Sequence, residues 1–209
     1  MNFEAYDLGL IDFGAARKKQ LEVFVEVKNR RISSALIFCR HYPVITLGRR
    51  TDIRNILASE KELIDKKISV LRVERGGDAT YHGPGQLTVY PIFNLNFLKK
   101  DIHWFLRQLE SALIKSLSGL GISAVCLPGL TGVWVNKEKI ASIGIAVRNW
   151  VTFHGFSLNV EESDTRNFRL IRPCGMDIKM TSIEAALGKK IEFDALRSSL
   201  KKEVALCMT

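Results

Sequence analysis

Residues 122–158 read ISAVCLPGLTGVWVNKEKIASIGIAVRNWVTFHGFSL, and this stretch decides the architecture. Runs rich in β-branched and aromatic residues at 122–127, 132–136, 140–147 and 150–158 are separated by Pro128-Gly129 and the polar turn 137–139, which predicts four successive strands. Connections this short predict antiparallel pairing of neighbours. Upstream, Asp12 is placed to cap a helix over 13–28, with Phe13, Ala16, Leu21 and Phe24 at close to helical spacing. Strands are predicted at 34–41, 44–47, 68–74 and 87–94, and Ser59 with Glu62 forms a capping box for a short helix over 60–66. Asp101 caps an amphipathic helix to about residue 118, with Ile102, Phe105, Leu106, Leu109, Leu113 and Leu117 on one face and Gly119 and Gly121 ending it. Two more helices are predicted at 182–187, stopped by Gly188, and from 193 to about 206. The sum is an α+β fold, a mixed and largely antiparallel sheet flanked by helices.

The chain has 209 residues, 46% hydrophobic and 25% charged, which suits one packed domain over 1–209 and excludes a disordered or fibrous class. Apolar stretches around 35–39 and 143–147 fall far short of the roughly 20 residues that cross a bilayer. The first ten residues carry Glu4 and Asp7 and no basic segment ahead of an apolar one, so a cytoplasmic location is expected. Cys39, Cys126, Cys174 and Cys207 are scattered without a C-x-x-C pair, which predicts a reduced compartment, no disulfide framework and no metal site. Lys and Arg number 31 against 22 Asp and Glu, a net charge of +9, so an acidic partner is expected: nucleic acid, an anionic membrane surface or an acidic protein.

Between the strands at 68–74 and 87–94 lies Arg75-Gly76-Gly77-Asp78-Ala79-Thr80-Tyr81-His82-Gly83-Pro84-Gly85-Gln86, polar and glycine-punctuated. Glycine permits positive φ and lets backbone N–H groups approach an acyl carbonyl or a phosphate. A surface turn needs glycine as well, but it does not need Arg, Tyr, His and Gln, so this stretch is read as a binding loop.

The same stretch resembles the signature of the lipoate-biosynthesis octanoyltransferases, the LipB family. Two further segments resemble that family in the same order: Gly132-Val133-Trp134 through Lys139-Ile140-Ala141-Ser142-Ile143-Gly144 with Phe153-His154-Gly155, and Pro173-Cys174-Gly175. The resemblance implies a biotin/lipoate protein ligase catalytic-domain fold. It also implies transfer of an octanoyl group from the phosphopantetheine thioester of acyl carrier protein to a lysine of a lipoyl domain. The implied acceptors are the E2 subunits of 2-oxoacid dehydrogenases and the glycine cleavage H protein; no nucleic acid, membrane, metal or ATP is implied. The catalytic cysteine falls on Cys174 and the catalytic lysine on Lys139. Acyl-substrate contacts fall on 75–82, on Ser142, Ile143 and Gly144, and on Gly155, Phe156 and Ser157.

A cysteine suits thioester exchange, because its acyl-enzyme is again a thioester and stays activated toward an amine. The thiol, ordinarily titrating near 8.5, needs a base or a cation beside it. If Lys139 extends the following strand it shares a face with Ala141, Ile143, Ile145 and Val147, where desolvation lowers an ammonium's pKa; the alternative is a solvated turn lysine. The pair is then expected to share one proton. His82 is a third candidate, lining the thioester site and moving protons, or ordering its loop. Backbone N–H groups near Gly76, Gly77, Gly144 and Gly155 are candidates to hold the thioester oxygen. Ile143 and Phe156 bound either an alkyl tunnel or plain core. Arg49, Arg50, Arg54, Lys99, Lys100, Arg148 and Arg169 are candidate steering residues for an acidic carrier. Two rivals remain: an ATP-dependent lipoate or biotin ligase of the same fold, and a basic nucleic-acid-binding module.

Overall fold

Residues 3–173 and 178–208 are described by the computed structural model; Cys174 and Gly175 lie outside the described residues. In chain order the elements are β1 (Glu4–Ile11), α1 (Phe13–Lys28), β2 (Ser34–His41), β3 (Val44–Leu47), α2 (Glu60–Asp65), β4 (Ser69–Arg72), β5 (Ala79–His82) and β6 (Gln86–Phe93). There follow α3 (Ile102–Ser118), β7 (Val125–Leu127), β8 (Leu130–Val135), β9 (Glu138–Arg148), β10 (Val151–Asn159), α4 (Glu162–Thr165), α5 (Ile183–Leu187) and α6 (Phe193–Cys207). Among the described residues the main sheet has the order β1-β2-β6-β10-β9-β8-β7, and a smaller one the order β4-β3-β5. β7 through β10 pair antiparallel in succession. β1 runs parallel to β2 through the crossover helix α1, and β3 parallel to β4, so the sheets are mixed.

The continuous apolar run of β2 reflects burial on both faces. Leu36 and Phe38 point into a core with Leu87, Val89, Phe105, Leu109, Leu113 and Leu200, under α3 and α6. Ala35, Ile37 and Cys39, one residue out of phase, join Ala16, Val23, Phe24, Tyr90 and Phe153 under α1. A third cluster, Ile45, Leu47, Ala79, Tyr81 and Phe168, sits on the small sheet. Helix caps follow their side chains: Asp12 Oδ1 accepts from Ala15 N at 3.0 Å, Ser59 Oγ from Glu62 N at 3.2 Å and Asp101 Oδ1 from Trp104 N at 2.9 Å.

Four local expectations change. β1 was not expected; it is an edge strand whose register slips between Asp7 and Leu10, and Gly9 there has φ of 60°. The loop 75–86 contains β5, because β3 pairs with it on the side opposite β4. Residues 122–124 are not paired as strand, although Ile122 is buried under α3. On α1 the buried position falls to Gln20 rather than Leu21. Among the described residues no helix is long and apolar enough to cross a membrane.

Candidate active site

A cavity of about 450 Å³ opens between the main sheet and the loop at 75–78. Glycines let the loop reach the sheet. Gly76 N donates to Ile145 O at 2.8 Å, and a Cβ on Gly144 would stand 2.9 Å from Gly76 O. Gly155 lies directly opposite Gly144 in the register, and a Cβ there would fall 2.0 Å from Val89 O. Arg75 ties the loop to β3 from beneath: its Nε and Nη2 donate to Thr46 Oγ1 at 3.1 and 2.9 Å, and Nη2 to Thr46 O at 2.6 Å. The guanidinium is a buried cation in the cavity wall. Across three strands Thr88, Ser157 and Ser142 stand in one register row and all line the cavity, next to the apolar Ile143, Ile145 and Phe156.

Lys139 is 5% exposed, so it is not a solvated turn residue. It pairs with Trp134, and its Nζ sits 5.2 Å from the indole centroid, a cation–π arrangement. Gly132 makes room: a Cβ there would lie 2.6 Å from Lys139 Cε and 2.6 Å from Ala141 O. A register shift just after Lys139 breaks the strict alternation expected along β9, so the aromatic ring of Trp134 is its neighbour as well as the apolar strand. Its backbone is strapped on both sides by the segment after residue 177, Lys139 N donating to Lys179 O at 2.8 Å and Thr181 N to Lys139 O at 3.0 Å. Pro173 and Ile178, flanking the four undescribed residues that include Cys174, line the cavity with Lys139.

The lipoyl protein ligase A/B catalytic domain model matches residues 16–205. An octanoyltransferase of Geobacter sp. strain M21 is 41% identical over 195 residues, 93% of this chain and 91% of its own length. One of Clostridium kluyveri is 46% identical over 167 residues, 80% and 71% of the two chains. The chain belongs to the octanoyltransferase family. A lipoate-protein ligase A solved with ATP superposes with a TM-score of 0.76 at 17% identity, over 99% of this chain and 85% of that one, which establishes the α+β ligase-type fold.

The residues that resemble the octanoyltransferase signature do not all face the cavity. Arg75, Gly76, Gly77, Asp78, Ala79, Thr80 and His82 line it, as do Ser142, Ile143, Gly144, Gly155, Phe156 and Ser157. Tyr81 does not: alternation along β5 turns it to the small sheet's core, where its hydroxyl donates to Asp164 Oδ1 at 3.3 Å and accepts from Asn167 Nδ2 at 2.9 Å. The Asp78 carboxylate accepts from Asn55 Nδ2 at 2.6 Å and Ala79 N at 2.7 Å. The Gly76 N–H, a candidate for the thioester oxygen, is spent on Ile145. Sequence reasoning missed Phe13, Thr88, Tyr90 and Trp134 as cavity walls, since each passes for ordinary core or strand. Of the candidate steering residues, Arg50 is exposed at the rim, whereas Arg54, Lys99 and Arg169 pair with Asp52, Asp101 and Glu62.

Three histidines are buried around the inner end. His41 Nδ1–H donates to Ile11 O at 3.2 Å, leaving Nε2 to accept from the Tyr90 hydroxyl at 2.7 Å. His82 stacks on Phe13 at 6.0 Å between centroids and lies 3.5 Å from Thr46 Oγ1. His154 has φ of 56°, its backbone N–H held by Gln20 Oε1 at 3.0 Å. Burial holds His41 and His154 down at about 4, in His154 against the pull of Glu74 3.6 Å away. Burial, with the charges of His41 and Arg75, takes His82 well below its ordinary value.

Unfolded imidazoles take protons near 6.5 and these take them only near 4, so below 6.5 the unfolded chain binds more protons. This contribution is complete above pH 6.5 and disappears as pH falls toward 4. His41 and His154 together are expected to cost about 4 kcal/mol between pH 7 and 5, or roughly 10 °C in Tm. Asp164, raised by its burial, acts in the opposite sense only near the carboxylate range. Thermal unfolding from pH 8 to 4.5 checks this; a flat Tm down to 4.5 contradicts it.

Proposed function

We propose that the chain moves an octanoyl group from acyl carrier protein to a lysine of lipoyl domains through a thioester on Cys174. The observation that carries this is the strap at Lys139. Its hydrogen bonds to Lys179 O and Thr181 N hold the end of the segment that carries Cys174 against the strand that carries the lysine, and Pro173 and Ile178 share its cavity wall.

In the first half-reaction Lys139 takes the Cys174 proton, the thiolate attacks the acyl carbonyl, and the phosphopantetheine sulfur leaves and is protonated. In the second, the acceptor amine attacks the acyl-enzyme, the amide forms, the Cys174 sulfur leaves, and the amine's proton returns through Lys139. The pair shares one proton in the free enzyme; in the acyl-enzyme Cys174 is a thioester, and that proton has left with the phosphopantetheine sulfur. Both acyl carriers are thioesters, so no ATP is consumed. His82 enters as a neutral wall of the acyl cavity. Of the other cysteines, burial pushes up the thiols of Cys39 and Cys126, the latter with help from Glu110, which makes both poor nucleophiles. The acceptors are lipoyl domains of E2 subunits and the glycine cleavage H protein, and the net charge of +9 favours acidic carriers approaching Arg50 at the rim.

Intact mass after incubation with octanoyl-carrier protein, without ATP, tests this. An octanoyl adduct is expected on the native chain, absent in Cys174→Ala and discharged by a lipoyl domain. No adduct, with lipoyl-domain modification only from free octanoate plus ATP, establishes the ligase reading instead.

A further inference from the structure

We infer that Asn55 is a positioning residue that ties the cavity loop at 75–80 to the arm leading to Cys174. The inference rests on the acyl-transfer reading above, which makes Cys174 the reacting group, and adds to it what holds the approach to that cysteine.

The strap at Lys139 anchors the chain after the four undescribed residues, and the chain before them is anchored elsewhere. Leu57 N and Ala58 N both donate to Leu170 O, at 2.9 and 3.1 Å, and Ile56 bridges antiparallel to Ile171. Arg172 N then donates to Asn55 O at 2.7 Å. Residues 55–58 therefore run alongside residues 170–172, and the last bond of this pairing is made two residues before Cys174.

The side chain of Asn55 reaches the other way. Its Nδ2 donates to Asp78 Oδ2 at 2.6 Å, while Asp78 Oδ1 accepts from Ala79 N at 2.7 Å. Asp78 lines the cavity, so its carboxylate holds its own loop with one oxygen and Asn55 with the other. Asn55 is itself fixed, because it closes the 3₁₀ turn Ile53–Asn55 and its N–H donates to Asp52 O at 2.9 Å. One half-buried residue thus sets the spacing between the loop in the cavity wall and the arm that brings the thiol. The residue type matters. An amide N–H donates to a carboxylate without a charge of its own, whereas Asn55→Asp sets two carboxylates face to face. Reacting atoms misplaced by about 1 Å can cost on the order of a hundredfold in rate, so slack in this tie reaches the chemistry without altering any group that performs it.

The test compares the native chain with Asn55→Asp, Asn55→Ala and the exchanged pair, Asn55→Asp with Asp78→Asn, in which an amide at 78 donates to a carboxylate at 55. It reads the single-turnover rate of octanoyl loading from carrier protein, hydrogen exchange of the Arg172 amide by NMR, and Tm. In Asn55→Asp, loading is expected to slow at least about tenfold and Arg172 to exchange at least about tenfold faster; adding Asp78→Asn is expected to bring both back to within about threefold of native. Added to Asn55→Ala, the same Asp78→Asn recovers neither, since no partner is left to match it. A residue that only builds the turn lowers Tm and leaves loading per folded molecule unchanged. If Asn55→Asp does not fold, the exchanged pair, near the native rate, and Asn55→Ala, about tenfold below it, carry the comparison. Loading within threefold of native in Asn55→Asp or, failing that variant, in Asn55→Ala overturns the tie, as does a loss that Asp78→Asn fails to recover. If the native chain takes no octanoyl group from carrier protein, the acyl-transfer reading fails. The Arg172 amide then still decides the tie, by whether its exchange quickens in Asn55→Asp and slows again in the exchanged pair.

Discussion

Lys139→Met is expected to lower kcat/KM for octanoyl transfer by about 10²–10⁴, the usual weight of a positioned acid–base group, while leaving Tm unchanged or higher. Methionine keeps the length and apolar body of the stem but removes the ammonium that β9 buries against Trp134. Replacing a buried charge by an apolar group of similar volume is commonly neutral or stabilising. The two readouts therefore move apart, which a merely structural lysine does not produce. Lys139→Arg keeps the charge yet puts a guanidinium that does not give up its proton at the same place, so it is expected to hold the fold and lose the rate. Steady-state kinetics with octanoyl-carrier protein, paired with thermal unfolding, decides the matter; activity within threefold of native in Lys139→Met removes the lysine from the mechanism.

Gly155→Ala has the largest expected effect on stability. The added Cβ meets backbone on a neighbouring strand, 2.0 Å from Val89 O and 3.0 Å from its carbon, with Pro91 Cδ at 2.5 Å. Both strands are central and buried over their whole length, so neither has room to retreat. The expected loss is about 4 kcal/mol or more, enough to lower Tm by roughly 10 °C or to abolish the soluble fold. Gly188→Ala is the matched control. Gly188 is left-handed, φ 67°, at the end of α5, with nothing within 4 Å of a Cβ, and costs only about 1 kcal/mol of backbone strain. Denaturant midpoints of the two variants separate steric conflict from the general cost of losing a glycine; equal losses show that close approach is not what Gly155 is for.

Much of this architecture is legible in the chain itself because local signals agree with tertiary need. Asp12, Ser59 and Asp101 cap the helices they precede, and the apolar run of β2 is continuous because both its faces are covered. The elements that escape reading are those whose reason is remote. β1 alternates exposed charge with half-buried Tyr6 and Leu8 on a sheet edge, and β5 is hidden among glycines until β3 demands a partner. Gln20 looks like a surface residue of α1, yet its Oε1 accepts from the backbone N–H of His154, 134 positions away. For Lys139 a charged turn is the natural local reading; the strap from residues 179–181 is what buries it, and nothing near 139 announces that strap. Phe13 and Tyr90 carry no polar mark to separate wall from core.

The bond from His154 N to Gln20 bears on how the site comes into being during synthesis. Helix α1 leaves the ribosome early, but its buried face has to wait for β10, which is made more than a hundred residues later. At some 5–20 residues per second that is a delay of roughly 6–25 s, in which α1 has β2 and β6 to pack on but lacks the last of the strands that cover its buried face. The inner end of the cavity, where His154 stands, is thus complete only when the first and last thirds of the chain have met.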